Sequence, residues 1–214
     1  INWDTPFDLL KALIPETCEF AKKISRNPDI RLTFILNSLV ALDNAAWLLY
    51  SRTKGISSFD DMIPEIYKPA LSARHDTLVT IPLISYGVSI ESVRSMLADG
   101  YCFLKIKIGS DPEKDGNLDK MLEWDMRRLS EIHEAAGRFE SPHTESGRIL
   151  YYLDANGRYD SIKRVEKLLR HAKKIGALDR IIVLEEPFPE EMKIAVSGIA
   201  VRIAADESAH SEDD

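Results

Sequence analysis

Apolar residues recur at helical spacing in two stretches near the start of the chain. Between residues 6 and 24 they predict an amphipathic helix, with Thr5 as its N-cap and Pro6 in its first turn. A second set between residues 31 and 53 predicts a longer helix that ends near Gly55. The sequence therefore opens with two packed helices.

The pattern changes at about residue 80, where short apolar runs begin to alternate with helical stretches. Such alternation predicts β/α units around a parallel sheet, with right-handed crossovers between the strands. The polar connection over residues 138–148 is predicted to be a solvated surface loop. The predicted strands are residues 81–88, 102–108, 149–153, 181–184 and 201–205, and the helices between them are residues 90–98, 118–136 and 162–175.

Composition and charge narrow the class of function. The chain is 44% hydrophobic and 29% charged, as in an ordinary globular protein, and its net charge of -7 without a basic run argues against a nucleic-acid partner. Cys18 and Cys102 lie in apolar segments, which favours buried free thiols and a reducing, cytoplasmic compartment. No apolar stretch approaches the roughly 18 residues of a membrane span, so no membrane partner is expected. The opening Ile1-Asn2-Trp3 resembles neither a signal peptide nor an initiation site, so we expect the chain to begin inside a longer protein.

Charged residues stand at the ends of four of the five predicted strands. Side chains at the carboxyl ends of parallel strands in a β/α barrel converge at its mouth. Three carboxylates converging there would repel one another unless a cation compensates their charge, and oxygen ligands without His or Cys favour magnesium over zinc. The five histidines have no ligand-like spacing. The strand-end residues are Lys105, Lys107, Asp154, Glu185 and Asp206.

Lys105 and Lys107 are two positions apart on one predicted strand, so they project to the same face. Lysines in a strand often protect an exposed edge, but the strand-end carboxylates downstream favour a site. Because like charges disfavour protonation, we expect the pKa of both lysines to be lowered. A lysine with a lowered pKa can act as a general base near neutral pH.

The motifs KIK, LDAN, LEEP and ADES occur in this order at the predicted strand ends. Their order and spacing resemble the muconate-lactonizing branch of the enolase superfamily. ALDNAAWLLY near residue 41 resembles a helix of that family's capping domain, and PLISYGVS at residue 82 resembles its first barrel strand. The resemblance implies an α/β fold in which residues 80–214 supply about five of the eight strands of a (β/α) barrel. Residues 1–79 would be the C-terminal helical part of an α+β capping domain.

The resemblance also implies a division of roles at the strand ends. Asp154, Glu185 and Asp206 would bind Mg²⁺, Lys107 would be a catalytic base, and Lys105 would hold and polarise a substrate carboxylate. A carbon beside a carboxylate is a very weak acid, so its deprotonation requires a metal and cationic side chains that are already in place.

Three further polar residues lie beside these motifs. Asn156 and Glu207 would either support the metal ligands or contact substrate, although an asparagine after a strand is often only a turn former. Glu186 stands where the family more usually has glutamine, which we interpret as a tolerated change next to the ligands.

The resemblance favours a racemase or epimerase of amino-acid or dipeptide substrates, because GVS, LKIKIG and ADES together most resemble dipeptide epimerases. Three alternatives stay open: a cycloisomerase of the muconate type, a dehydratase of the succinylbenzoate synthase type, and a non-catalytic metal-binding relative. For the full-length protein we expect a small-molecule carboxylate substrate, a homo-oligomer, and an opposing lysine on a barrel strand that this chain does not contain.

Overall fold

The computed structural model describes residues 2–210. The chain divides into two compact units, Ile1–Thr77 and Leu78–Asp214.

The first unit is helical and begins with the two predicted helices. Helix α1 spans Pro6–Ser25 and helix α2 spans Leu32–Lys54. They are followed by the short helices α3, Phe59–Met62, and α4, Lys68–Leu71.

The predicted start of α1 and the predicted end of α2 are both confirmed. The Thr5 hydroxyl accepts a hydrogen bond from the Asp8 backbone N–H, and the Asp8 carboxylate accepts from the Thr5 N–H at 2.9 Å, which together form a capping box. Helix α2 ends at Gly55, whose φ of 66° places it in the left-handed region that closes helices. The Phe7 ring packs edge-on against Trp47 at 5.2 Å between centroids, which joins the two helices.

Helix α2 corrects one expectation from the sequence. By length and composition it could cross a membrane, although the sequence had indicated no stretch of that size. The expectation counted uninterrupted apolar runs, whereas in this helix isolated polar residues such as Asn37 and Asp43 are spread among apolar ones. A single helix of this kind is weak evidence for a membrane, because core helices of soluble proteins have the same composition.

The second unit contains a parallel sheet with the strand order β1-β2-β3-β4-β5. This arrangement confirms the predicted sequence of β/α units. The strands are β1 Leu83–Ile84, β2 Phe103–Lys107, β3 Leu150–Asp154, β4 Ile181–Glu185 and β5 Ile203–Ala204, and the helices are α5 Ile90–Ala98, α6 Leu118–Ala136 and α7 Ile162–Lys174, with a 3₁₀ turn at Leu178–Arg180.

The two outer strands are shorter than the sequence indicated. Strands β1 and β5 each pair with one neighbour among the described residues, so fewer ladder hydrogen bonds extend them. Strand β1 also stops early because a turn follows it, closed by a hydrogen bond of 3.1 Å from the Val88 N–H to the Ser85 carbonyl. The inner strands β2, β3 and β4 have five residues each.

The hydrophobic core of this unit lies between the sheet and its helices. Leu104 and Ile106 of β2 are fully buried and alternate with half-buried Lys105 and Lys107, as the two-residue period of a strand requires. The core also contains Leu168 of α7. The sheet therefore has one face covered by helices and another face that carries the lysines.

The polar connection and the two cysteines were the smaller expectations from the sequence, and only that for Cys18 needs correction. The connection over residues 138–148 is mostly exposed, as predicted for a solvated surface loop, although Ser141 and Thr144 are buried and the Thr144 hydroxyl donates to the Arg148 carbonyl at 2.8 Å. Cys102 is buried as predicted, whereas Cys18 on α1 is partly exposed. Cys18 is less buried than its apolar segment indicates, because burial depends on neighbours distant in sequence.

Candidate active site

The register of the sheet aligns the predicted site residues at its carboxyl edge. Lys107 of β2 lies opposite Asp154 of β3, Asp154 lies opposite Glu185 of β4, and Glu185 lies opposite Ala204 of β5. Asp206 follows this row by two positions. Three of the predicted residues thus share one row across neighbouring strands.

Two lysines and two carboxylates form a compact ion-pair cluster in this row. Lys105 Nζ lies 2.9 Å from Asp154 Oδ2 and 2.5 Å from Glu185 Oε2. Lys107 Nζ lies 2.5 Å from the same Asp154 oxygen. Asp154 is completely buried and Glu185 nearly so, which strengthens these interactions relative to surface ion pairs. We call Lys105, Lys107, Asp154 and Glu185 the strand-end cluster.

The electrostatics of the cluster contradict one expectation. Burial disfavours the charged form of Lys105, but its hydrogen bonds to Glu185 and Asp154 outweigh burial and raise the pKa of Lys105 above its ordinary value. The sequence-based prediction of a lowered pKa is therefore wrong for Lys105. It counted repulsion between positive charges, whereas the ammonium group lies between two carboxylates.

The pKa values of the two carboxylates in the cluster shift in opposite directions. Burial acts to raise the pKa of Asp154, but hydrogen bonds from Lys107 and Lys105 lower it overall. Burial raises the pKa of Glu185, and the nearby Asp154 and Asp206 charges add to that effect against the opposing hydrogen bond from Lys105. Glu185 therefore lacks full charge compensation from the side chains around it.

Asn156 extends the cluster beyond the strands. Its amide oxygen accepts from Lys107 Nζ at 2.5 Å, and its amide nitrogen donates to Glu207 Oε1 at 3.0 Å. Its own backbone N–H donates to Asp154 Oδ1 at 3.1 Å, and its φ of 45° is left-handed. Asn156 is therefore a turn former and also a link between Lys107 and Glu207.

Glu186 is a functional candidate that the sequence did not single out as such. Its carboxylate is 3% exposed, and its Oε2 accepts from the Asp206 N–H at 2.7 Å, the Ser208 N–H at 3.3 Å and the Ser208 hydroxyl at 2.9 Å. The sequence treated this residue as a tolerated change. The signal that could have found it is a second carboxylate directly after Glu185 at the end of a buried strand.

The donor chemistry at this edge fits magnesium. Within residues 2–210 the side chains do not stand as a group of three or more His, Cys, Asp or Glu residues placed to hold a metal. One buried oxygen beside the cluster, Glu207 Oε2, nevertheless lacks a hydrogen-bond donor among the described residues. Buried, unsatisfied carboxylate oxygens are costly for a protein to keep, and hard oxygen donors are those that magnesium prefers. The ligand set Asp154, Glu185 and Asp206 stays a prediction.

Asp125 of α6 is another completely buried carboxylate, and the sequence did not indicate it as notable. It accepts from the Tyr159 hydroxyl at 2.7 Å and from the Gly109 N–H at 2.8 Å, with a longer contact to the Ser110 N–H at 3.4 Å. Burial raises the pKa of Asp125 to about 6, against the lowering effect of these hydrogen bonds. Asp125 joins α6 to the loop after β2 and to the segment after β3. An aspartate among the buried, apolar positions of α6 is the signal that could have found it.

Comparisons with known proteins agree with the motifs at this edge. A family model described as Enolase C-terminal domain-like matches residues 89–214. An L-Lys-D/L-Arg epimerase of Methylococcus capsulatus is 29% identical over 205 residues, which cover 91% of this chain and 46% of the epimerase. The chain therefore spans about half the length of this curated relative.

Three solved structures also overlap with the chain. A muconate lactonizing enzyme from Klebsiella pneumoniae has 20% identity and a TM-score of 0.44, with 61% of this chain and 32% of that chain covered. An O-succinylbenzoate synthase from Thermosynechococcus elongatus BP-1, complexed with Mg in the active site, has 19% identity and a TM-score of 0.46, with 63% and 38% covered. A putative mandelate racemase from Bordetella bronchiseptica RB50, complexed with 2-oxoglutarate/phosphate, has 18% identity and a TM-score of 0.47, with 93% and 48% covered.

Proposed function

We propose, from the premise that this chain belongs to the enolase C-terminal domain-like family, that the full-length protein removes the proton beside a substrate carboxylate with the help of magnesium. The family match covers more than half of the chain and confirms the resemblance to the enolase superfamily that the motifs indicated. The observation that carries the proposal is the row Lys107, Asp154 and Glu185 at the carboxyl edge of the sheet.

In this proposal Asp154, Glu185 and Asp206 would hold the magnesium ion. When bound, magnesium supplies positive charge that stabilises the negative charge developing on the substrate carboxylate. Burial raises the pKa of Glu185, and the nearby Asp154 and Asp206 charges add to that effect; this gathering of carboxylates supports a further cation at this position.

The lysines have separate tasks. Lys107 is the proposed base, since its ammonium nitrogen is oriented by Asp154 and Asn156 at the end of β2. A lysine accepts a proton only as the free amine, so Lys107 must give up one ammonium proton to solvent before it can take the proton from substrate. Lys105, whose raised pKa keeps it charged, is suited to binding the substrate carboxylate.

The substrate class is the finer part of the proposal. The Methylococcus capsulatus relative is named as an epimerase of L-Lys-D/L-Arg, and this supports an epimerase or racemase of dipeptides or amino acids here. We further propose that the full-length protein completes the eight-stranded barrel. Its two free cysteines support a reducing, cytoplasmic compartment.

Deuterium uptake at the substrate α-carbon tests the proposal. The full-length protein is incubated in D₂O with dipeptides and N-acyl amino acids, with magnesium or with a chelator, and exchange is followed by NMR. With an accepted substrate, we expect magnesium-dependent exchange of both enantiomers. Lys107→Ala should reduce exchange of one enantiomer by roughly 10²- to 10⁴-fold, the contribution typical of a positioned base.

The matched control is Lys163→Ala, which removes an exposed lysine of α7. This variant should exchange both enantiomers at the parent rate. Equal residual exchange of the two enantiomers in Lys107→Ala would remove this residue from proton transfer and leave it only a role in orienting substrate. Absence of exchange for every substrate tested would refute the proposed reaction.

A further inference from the structure

The carboxylate of Glu186 is buried and well supplied with hydrogen-bond donors at the carboxyl edge of the sheet. One oxygen atom, Oε2, receives three hydrogen bonds, all from the segment 206–208 that follows β5. Two of the donors are backbone N–H groups, so these contacts fix the path of the chain and not only a side chain. A buried carboxylate that accepts three donors offsets most of its desolvation cost.

The backbone of Glu186 joins two further segments. Its N–H donates to the Ala204 carbonyl at 2.9 Å, and its carbonyl accepts from the Gly157 N–H at 2.7 Å. The residue has a φ of 38°, in the left-handed region that a residue with a side chain rarely adopts. Such backbone conformations persist where surrounding contacts hold them, and they are concentrated at functional sites. Glu186 therefore connects the chain after β3, the end of β4 and the chain after β5.

The three proposed magnesium ligands differ in how their backbone is held. Asp154 and Glu185 lie within paired strands, so the sheet itself fixes their positions. Asp206 lies two residues beyond β5, whose pairing with β4 ends at Ala204. Its placement therefore depends on contacts outside the sheet, and its backbone N–H is bound by Glu186.

We infer that Glu186 is a positioning residue that places Asp206 for metal binding by accepting hydrogen bonds from the chain after β5. This inference rests on the proposed function, because it assumes that Asp206 is a magnesium ligand. It assigns a role to a residue that the sequence interpreted as a neutral replacement of glutamine. The role belongs to the acceptor oxygen and not to the negative charge, since all three contacts are donations to one atom.

Two substitutions separate hydrogen-bond acceptance from charge. Glu186→Gln keeps an acceptor oxygen in a side chain of the same length, whereas Glu186→Leu removes the acceptor and leaves three donors unpaired. Ser208→Ala removes only the hydroxyl, one of the three donors. Glu123→Leu is the matched control, because Glu123 is an exposed residue of α6 and the change is chemically identical.

Magnesium affinity of the full-length protein, measured by titration calorimetry with MgCl₂, is the readout. We expect Glu186→Leu to raise Kd by roughly 10- to 100-fold, the range found when residues that support metal ligands are replaced. Glu186→Gln and Glu123→Leu should stay within about threefold of the parent, and Ser208→Ala should fall between these limits. Urea unfolding without magnesium shows how much of each variant is folded.

Several results would overturn the inference while the proposed function survives. In the first, the parent binds magnesium and a folded Glu186→Leu variant binds it with the same affinity. That result would show a purely structural role for Glu186, even if the variant were less stable. Another is equal loss of affinity in Glu186→Gln and Glu186→Leu, which would assign the effect to charge. If Glu186→Leu does not fold, Ser208→Ala decides, and an unchanged Kd refutes the role. A parent that binds no magnesium refutes both the inference and the proposed function.

Discussion

Replacement of Asp125 by asparagine should remove a pH dependence from the stability of the sheet unit. Asp125 is completely buried, and burial raises its pKa from 3.8 to about 6 in the folded protein. A folded-state pKa above the unfolded value means that the folded protein binds the proton more tightly. The stabilisation is therefore full below about pH 3.8 and is lost as pH rises through about pH 6.

The stability contribution of Asp125 can be calculated from the size of its pKa shift. A shift from 3.8 to about 6 is roughly 2 units, and at 1.36 kcal/mol per unit it corresponds to about 3 kcal/mol of unfolding free energy. The asparagine side chain keeps the shape of the protonated acid and does not titrate. Because part of this term is already lost at pH 4, the difference in unfolding free energy between Asp125→Asn and the parent should move by about 2 kcal/mol in favour of the variant between pH 4 and pH 7.

Urea unfolding followed by circular dichroism, at half-unit steps between pH 4 and pH 7.5, measures this difference. Subtracting the unfolding free energy of the parent from that of the variant removes contributions common to both proteins. One of these is the contribution of Asp154, whose lowered pKa makes stability rise with pH. The control is Glu123→Gln, an exposed carboxylate on the same helix, and its difference from the parent should not change across this window. A flat difference for Asp125→Asn, or one that favours the parent as pH rises, would show that the hydrogen bonds to Asp125 outweigh its burial.

Two further predictions concern the surroundings of this carboxylate. Tyr159→Phe removes a hydrogen bond that lowers the pKa of Asp125, so the stability contribution of Asp125 should be lost at a higher pH than in the parent. The same urea-unfolding series measures this pH, and a shift to lower pH would contradict the reasoning. Gly109→Ala places a Cβ 2.6 Å from Arg158 Cβ at a residue whose φ is 82°. The control is Gly116→Ala, since Gly116 has a φ of 72° and open space around it. Gly109→Ala should lower the unfolding free energy by about 2 kcal/mol or more beyond the loss in Gly116→Ala. Equal losses in the two glycine variants would show that the contact with Arg158 relaxes without cost.

The order of strands and helices in the second unit could be predicted because it depends on local patterns. Alternating apolar runs and amphipathic stretches define each element, and the carboxyl ends of parallel strands must meet at one edge. For this reason the sequence alone predicts that Lys107, Asp154 and Glu185 lie together, and the register confirms that they are neighbours. Their roles in metal binding and catalysis stay predictions.

The features that could not be predicted depend on the path of loops. The contacts of Glu186 arise because the chain after β5 turns back over the end of β4, and no local pattern specifies that turn. The raised pKa of Lys105 depends on which charges lie within a few ångströms of its nitrogen, and the sequence gives their identity but not their distances. The lengths of β1 and β5 likewise depend on pairing, which residue type alone does not determine.

The shared row of Lys107, Asp154 and Glu185 constrains how this protein can evolve. Side chains alternate between the two faces of a strand, so loss or gain of a single residue within β3 would exchange Asp154 with an adjacent apolar position. The same event would move a carboxylate into the helix-covered layer and would disrupt both the fold and the strand-end cluster. During evolution we therefore expect the strands to change by substitution of side chains, whereas insertions and deletions should be confined to the segments that connect them.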